Sequence, residues 1–274
     1  MISNSFPQRE ETLKRRRKQK RIKYTIFLLC FFVLVGLVSY ASHLPKVRIS
    51  EVVLKGGLLV TEKEIKEESL NYIQGSYFWL FPKSNSFIYP KNSLEVNLKN
   101  KFKRIDTIKI YLDGFNVMIV EITERKPVAI WCNGLGADDD TCYFIDQNST
   151  VFAEAPNFSG DVYFKYYGLI DKNNPIGKEY IASSTEFTQI NSFINLVKNL
   201  KIKPLYLVAK EEGEFSLALY GGGEIFFDVK KSLEATYQNL ETLLKSPELY
   251  LVGGSLPIEY IDLRYGNKLF YKLK

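Results

Sequence analysis

The longest uninterrupted apolar stretch runs from Tyr24 to Leu44, 21 residues without Asp, Glu, Lys or Arg. At ~1.5 Å per residue a helix of that length spans about 32 Å, close to the ~30 Å hydrocarbon core of a bilayer. Beyond it the pattern is one of short amphipathic elements. "KVRISEVVLKGG" reads as a strand entering a Gly-Gly turn, and "TEKEIKEESLNYIQG" as a helix, with Thr61 and Glu64 at capping-box spacing and Gly75 beyond its end. An aromatic loop, "SYFWLFPKSNSFIYP", precedes a second helix marked by Leu94, Leu98 and Phe102. "RIDTIKIYL" and "FNVMIVEITE", joined at Asp113-Gly114, form a hairpin. The order is strand, helix, helix, strand, strand.

After Pro127, which suits a strand start or edge, the pattern changes. "CYFIDQNSTVFAE" is a hairpin turning at Gln147-Asn148, and "DVYFKYYGL" is a further strand. Phe187, Ile190, Ile194 and Val197 share a helical face that Phe193 and Leu200 widen. "KPLYLVAK", "EFSLALYG" and "EIFFDV" form a meander. Leu233, Tyr237, Leu240 and Leu244 stripe another helix. "EYIDLRYGNKLFYKLK" closes the chain as a hairpin about Gly266-Asn267. The expected class is α+β: a basic tail (1–23), a transmembrane helix (24–44), a first module (45–125) and a mixed, mostly antiparallel β domain with two helices (126–274).

Charge sharpens this division. Residues 1–23 hold nine of the 37 basic and two of the 31 acidic residues, a local +7, and the remaining 28 against 29 leave −1. The overall +6 therefore belongs to the tail and gives no reason to expect nucleic-acid binding by the folded part. Basic residues crowded before the apolar run put the tail in the cytoplasm and residues 45–274 outside, by the positive-inside rule. A cleaved signal peptide is the rival reading, through the small-x-small Ser39-Tyr40-Ala41. The apolar run outlasts a typical signal core of about 7–15 residues.

Candidate chemistry is sparse. His43, the single histidine, sits at the membrane exit, apart from any serine or cysteine motif. "YGGGEIFF" lacks the Gly-Lys-Ser/Thr of a phosphate loop and reads as a hairpin turn. "ADDDT" lacks the alternating ligands of a calcium loop and reads as a solvated tip. "NST" and "NFS" match a glycosylation acceptor pattern, which carries weight only in a secretory context. No catalytic or metal-binding motif emerges, and the expectation is a non-enzyme without cofactors. Of the three cysteines, Cys30 lies in the apolar run. Cys132 and Cys142 end two strand-like runs and are the candidate disulfide pair; two unpaired thiols are the other reading.

The final strand carries the most specific expectation. Leu269, Tyr271 and Leu273 alternate with Lys268, Phe270, Lys272 and Lys274. Lysines discourage promiscuous pairing on a free edge, while the backbone there still accepts one specific strand.

The tail, single membrane helix and strand-helix-helix-strand-strand module, followed by Glu124-Arg125-Lys126-Pro127, Trp131, "CYFID" and Asp262-Leu263-Arg264-Tyr265, resemble the bacterial FtsQ/DivIB family. The resemblance covers Lys14 to Lys274. It implies a POTRA domain at 45–125, an FtsQ-type β domain at 126–274, and a non-enzymatic division scaffold in the plasma membrane at the septum. It also implies partner binding at Tyr265, Lys268, Leu269, Phe270, Tyr271 and Lys272, where an FtsB/FtsL-like bitopic protein adds a strand, and recruitment of other division proteins by the POTRA domain. Another POTRA-type assembly or transport protein, or an accessory to a cell-wall enzyme, is the alternative.

Overall fold

A computed structural model describes residues 6–135, 141–158, 160–210, 213–249, 251–266 and 268–274. The acidic loop tip Asp138–Asp140, Ser159 of "NFS" and Asn267 of the closing turn lie outside these. The described residues divide into two compact units: residues up to Phe102 with Thr107–Thr123, and Lys103–Asp106 with Glu124–Lys274.

The first unit starts with helix α1 (Phe6–Ser42), one stretch of which is long and apolar enough to cross a membrane. After it come β1 (Glu51–Lys55), α2 (Glu62–Tyr72), the two-residue strands β2 (Ser76–Tyr77) and β3 (Phe81–Pro82), α3 (Lys91–Lys101), β4 (Ile105–Asp113) and β5 (Val117–Glu124). The capping box forms as its spacing predicts: Thr61 Oγ1 accepts from the Glu64 amide at 3.3 Å, and the Glu64 carboxylate accepts from the Thr61 amide at 3.0 Å. The sheet order is β1-β5-β4, with β1 parallel to β5. Ile65 of α2, Leu94 and Leu98 of α3, Val52 of β1 and Met118 and Val120 of β5 are buried in its core. The aromatic loop is itself a miniature hairpin, in which Tyr77 pairs with Phe81.

The second unit is one nine-stranded sheet with two helices. Its elements are β6 (Ala129–Cys132), β7 (Cys142–Ile145), β8 (Val151–Glu154), β9 (Lys165–Tyr167), α4 (Ser184–Asn199), β10 (Pro204–Ala209), β11 (Glu214–Leu219), β12 (Glu224–Asp228), α5 (Leu233–Leu243), β13 (Ile258–Tyr265) and β14 (Lys268–Leu273). The strand order is β14-β13-β12-β11-β10-β9-β6-β7-β8. Three of its pairings are parallel, β12 with β13 and β9 with both β6 and β10; the rest are antiparallel. The protein is thus α+β with a mixed, mostly antiparallel sheet.

Phe187, Ile190, Phe193, Ile194 and Val197 of α4 are buried with Ile225, Phe227, Ile261 and Leu263 in one core. On α5 the buried positions are Thr236, Leu240 and Leu243, while Leu233, Tyr237 and Leu244 are only partly covered. The stripe expected from sequence is rotated, because Thr236 bonds the Ser232 carbonyl through Oγ1 at 2.9 Å and so satisfies its hydroxyl inside. The strand expected over "DVYFKYYGL" shrinks to three residues. Gly168 follows it with φ +90° and lies so close to β10 that a Cβ would sit 2.5 Å from the Ala209 carbonyl oxygen.

Arg125 is held entirely within this unit. Its amide donates to the Arg104 carbonyl at 2.8 Å, its Nε to the Lys103 carbonyl at 3.1 Å, and its guanidinium pairs with Asp146. Asp146 Oδ1 in turn accepts from the Asn148 and Thr150 amides at 2.9 and 2.8 Å, which closes the β7–β8 turn with Ser149 left-handed at φ 69°. Cys132 and Cys142 face each other in the β6–β7 register and are joined by a disulfide.

Candidate functional site

A sheet has two edges, and this one treats them differently. At the β8 edge the first residue is covered: the Val151 amide donates to Lys178 O at 2.8 Å, and the Gly177 amide donates to Val151 O at 2.6 Å. At the other edge β14 pairs with β13 alone, and among the described residues no strand lies on its outer side.

The direction of the free backbone groups follows from alternation. The Lys274 amide donates to the carbonyl of Pro257, the residue before β13, so residues of the same parity (Lys268, Phe270 and Lys272) also turn their backbone inward. The N–H and C=O groups of Leu269, Tyr271 and Leu273 then face outward. The register confirms an unbroken β14, because its two shifts fall between Ile258 and Tyr260 and between Asp262 and Tyr265, with the extra residues on β13. Such bulges increase local twist while leaving the opposite strand extended.

Side chains sort by face. Leu269 points inward and packs against the helix-covered core. Tyr271 is on the same side, 37% exposed, and its hydroxyl bonds the Glu248 carboxylate at 3.3 Å. Phe270 faces the other way in a row with Asp262 of β13 and Phe226 of β12. Tyr265, at the end of β13, meets Phe270 edge-on at 5.5 Å between ring centroids. Lys268 is exposed at the start of β14, and Lys272 pairs with Glu259 at 2.7 Å. That bond raises the Lys272 pKa.

Arg264 organises the face beside this strand. It donates to Asp262 through Nε at 2.9 Å and Nη2 at 2.6 Å, and crosses over the Phe226 ring, 5.3 Å from its centroid, to reach Glu214 on β11 at 2.5 Å. Lys210 caps the same ring at 4.6 Å. Burial alone pushes the Asp262 carboxyl up, but the bonds from Arg264 outweigh it and leave the pKa below its ordinary 3.8. The Arg264 pKa is raised, chiefly by the bond to Asp262. Phe226, Tyr260, Asp262, Arg264, Tyr265, Lys268 and Phe270 together line a shallow recess of about 640 Å³ directly beside the open edge. Among the described residues no group of three or more His, Cys, Asp or Glu side chains is placed to hold a metal.

No protein-family model matches the chain. Two curated proteins do, each along nearly its whole length. The cell division protein DivIB of Clostridium botulinum strain Hall is 22% identical over 273 residues, 98% of this chain and 99% of that protein. DivIB of strain Loch Maree is 21% identical over the same shares. These two likenesses along nearly the whole chain support the FtsQ/DivIB family. The likeness to cell division proteins and the apolar N-terminal helix fit a membrane-anchored division protein.

Of the residues expected at a partner site, Tyr265, Lys268 and Phe270 come together on one face, which Lys272 shares by alternation, Tyr271 lies on the other, and Leu269 turns its side chain to the core. Sequence reasoning missed Phe226, Lys210 and Glu214. The signal for Phe226 was present: it alternates with the core residues Ile225 and Phe227, which marks it as the outward position of β12.

Proposed function

We propose that this FtsQ/DivIB protein is a non-enzymatic scaffold that links early and late division proteins at the septum, its C-terminal edge accepting a strand from a partner. The tail 1–23 is cytoplasmic, residues 45–274 are extracytoplasmic, a POTRA module at 45–125 holds recruitment contacts, and the β domain at 126–274 carries the edge. The partner is an FtsB/FtsL-like bitopic protein. One observation carries the reading: among the described residues no strand covers the outward amides and carbonyls of Leu269, Tyr271 and Leu273 on β14, while at the opposite edge of the same sheet Val151 is bonded. Backbone bonds from such an edge supply affinity, and Tyr265, Lys268, Phe270 and Lys272 supply selectivity.

A proline separates this from a side-chain site. Tyr271→Pro removes one outward N–H and costs no bond to β13, since proline is tolerated where the N–H faces away from the sheet. It leaves a partner carbonyl unsatisfied, about 1–3 kcal/mol, so binding weakens by roughly 5- to 150-fold. Crosslinking and co-purification from native membranes reads this out, with a chain ending at Tyr265 as the full-loss control. Capture of small single-span partners by the proline variant and the truncated chain at wild-type levels overturns the proposal.

A further inference from the structure

The β2–β3 turn has a conformation that its residues disfavour. The Leu80 amide donates to Tyr77 O at 3.0 Å, and the two central residues, Phe78 and Trp79, are left-handed with φ 50° and 60°. Hairpin turns of that kind normally take Asn and Gly, because a Cβ at positive φ crowds the following carbonyl oxygen. Here two of the largest side chains occupy both positions, and they are 85% and 95% exposed. Strain of this kind without burial points to a use for the exposed rings.

The turn is tied to the end of α1. Ser39 Oγ donates to the Leu80 carbonyl at 2.6 Å, and Asn85 Nδ2 donates to the Ser42 carbonyl at 3.1 Å. Ser39 precedes Leu44, the end of the apolar run, by five residues. At ~1.5 Å per residue it lies about 7–8 Å inside that end, the depth at which interfacial side chains sit, roughly 5–10 Å into the headgroup and acyl boundary. Between α1 and the turn runs an apolar groove of about 600 Å³, lined among others by Val38, Ala41, Phe78, Phe81, Phe87 and Ile88. Aromatic rings, tryptophan above all, partition to that zone.

We propose that the Phe78-Trp79 turn is a lipid-interface anchor that holds the first module against the outer surface of the bilayer, with lipid chains filling the groove beside α1. The inference rests on α1 spanning the membrane, and the test reads the two separately. The full chain is placed in lipid nanodiscs, and the emission of wild type minus Trp79→Phe isolates Trp79, because Trp131, the other of two tryptophans, is buried and common to both. Cys30, free and six residues inside the start of the apolar run, reports the span through its protection from a membrane-impermeant maleimide.

The expected result is protected Cys30, a Trp79 signal quenched several-fold more by phosphatidylcholine brominated near the glycerol end than near the chain terminus, and little quenching by iodide. Protected Cys30 with Trp79 open to iodide and blind to bromolipid overturns the anchor alone. Trp79 shielded from both quenchers also overturns it, in favour of a protein cover. Labelled Cys30 removes the span and the anchor together.

Discussion

Arg264 shows how one side chain can tie together strands that are distant in sequence. Its two bonds to Asp262 and its reach to Glu214 tie β13 to β11 across the Phe226 ring, and they fix the recess beside β14. The pH dependence follows from the Asp262 carboxylate. Its folded pKa is depressed below 3.8, so the stabilisation is fully present above that value and is lost as pH falls through the folded pKa. Acid unfolding of the full chain, followed by intrinsic fluorescence from pH 6 downward, is expected to lose part of its steepness below about pH 4 in Asp262→Asn. An identical acid limb in the variant rules out this carboxylate as a contributor. The resemblance to the family singled out the Asp262–Tyr265 segment, but periodicity could not say that Arg264 would lie over Phe226, because Phe226 is distant in sequence and the two meet only once β12 and β13 pair in parallel.

Elements were legible where their signals were local. The α2 cap, the α4 face and the β4–β5 and β13–β14 hairpins follow from capping spacing, 3.6-residue periodicity and turn residues, none of which needs a distant partner. The miniature aromatic hairpin was not legible, since Phe-Trp is the reverse of a turn signal and α1 and the following chain hold it in place. The β6–β7 pair lies between these cases. Sequence put Cys132 and Cys142 at two strand ends; the antiparallel register makes them direct neighbours. Closing a loop of sequence separation 10 restricts the unfolded chain, and breaking it costs about 2–3 kcal/mol. Denaturant titration of the second unit's fluorescence with and without reductant is expected to show that difference. The double substitution Cys132→Ala with Cys142→Ala should match the reduced protein, and an unchanged midpoint would remove the disulfide from the stability account.

At the scale of the whole molecule, charge and hydrophobicity divide the labour. The +7 of residues 1–23 against −1 elsewhere is the asymmetry on which the proposed orientation rests. Replacing Arg15, Arg16 and Arg17 with Glu changes the tail from +7 to +1 and should send a measurable fraction of chains into the membrane inverted, read by protease protection of residues 45–274 in inside-out vesicles; uniform wild-type orientation would show that the arginines are dispensable for topology. The sequence by itself determined the membrane-length helix, its flanking charge, the number and kind of most local elements, and the alternation of the last strand, because each depends on residues within a few turns of one another. Only the tertiary structure decided that β1 pairs with β5, that β9 is inserted in parallel between β6 and β10, and that, among the described residues, β14 has no strand on its outer side. Those outcomes depend on which distant strands share backbone bonds, and the gain from pairing is nearly the same for many partners. The choice falls to the packing of both sheet faces at once, which no local pattern encodes.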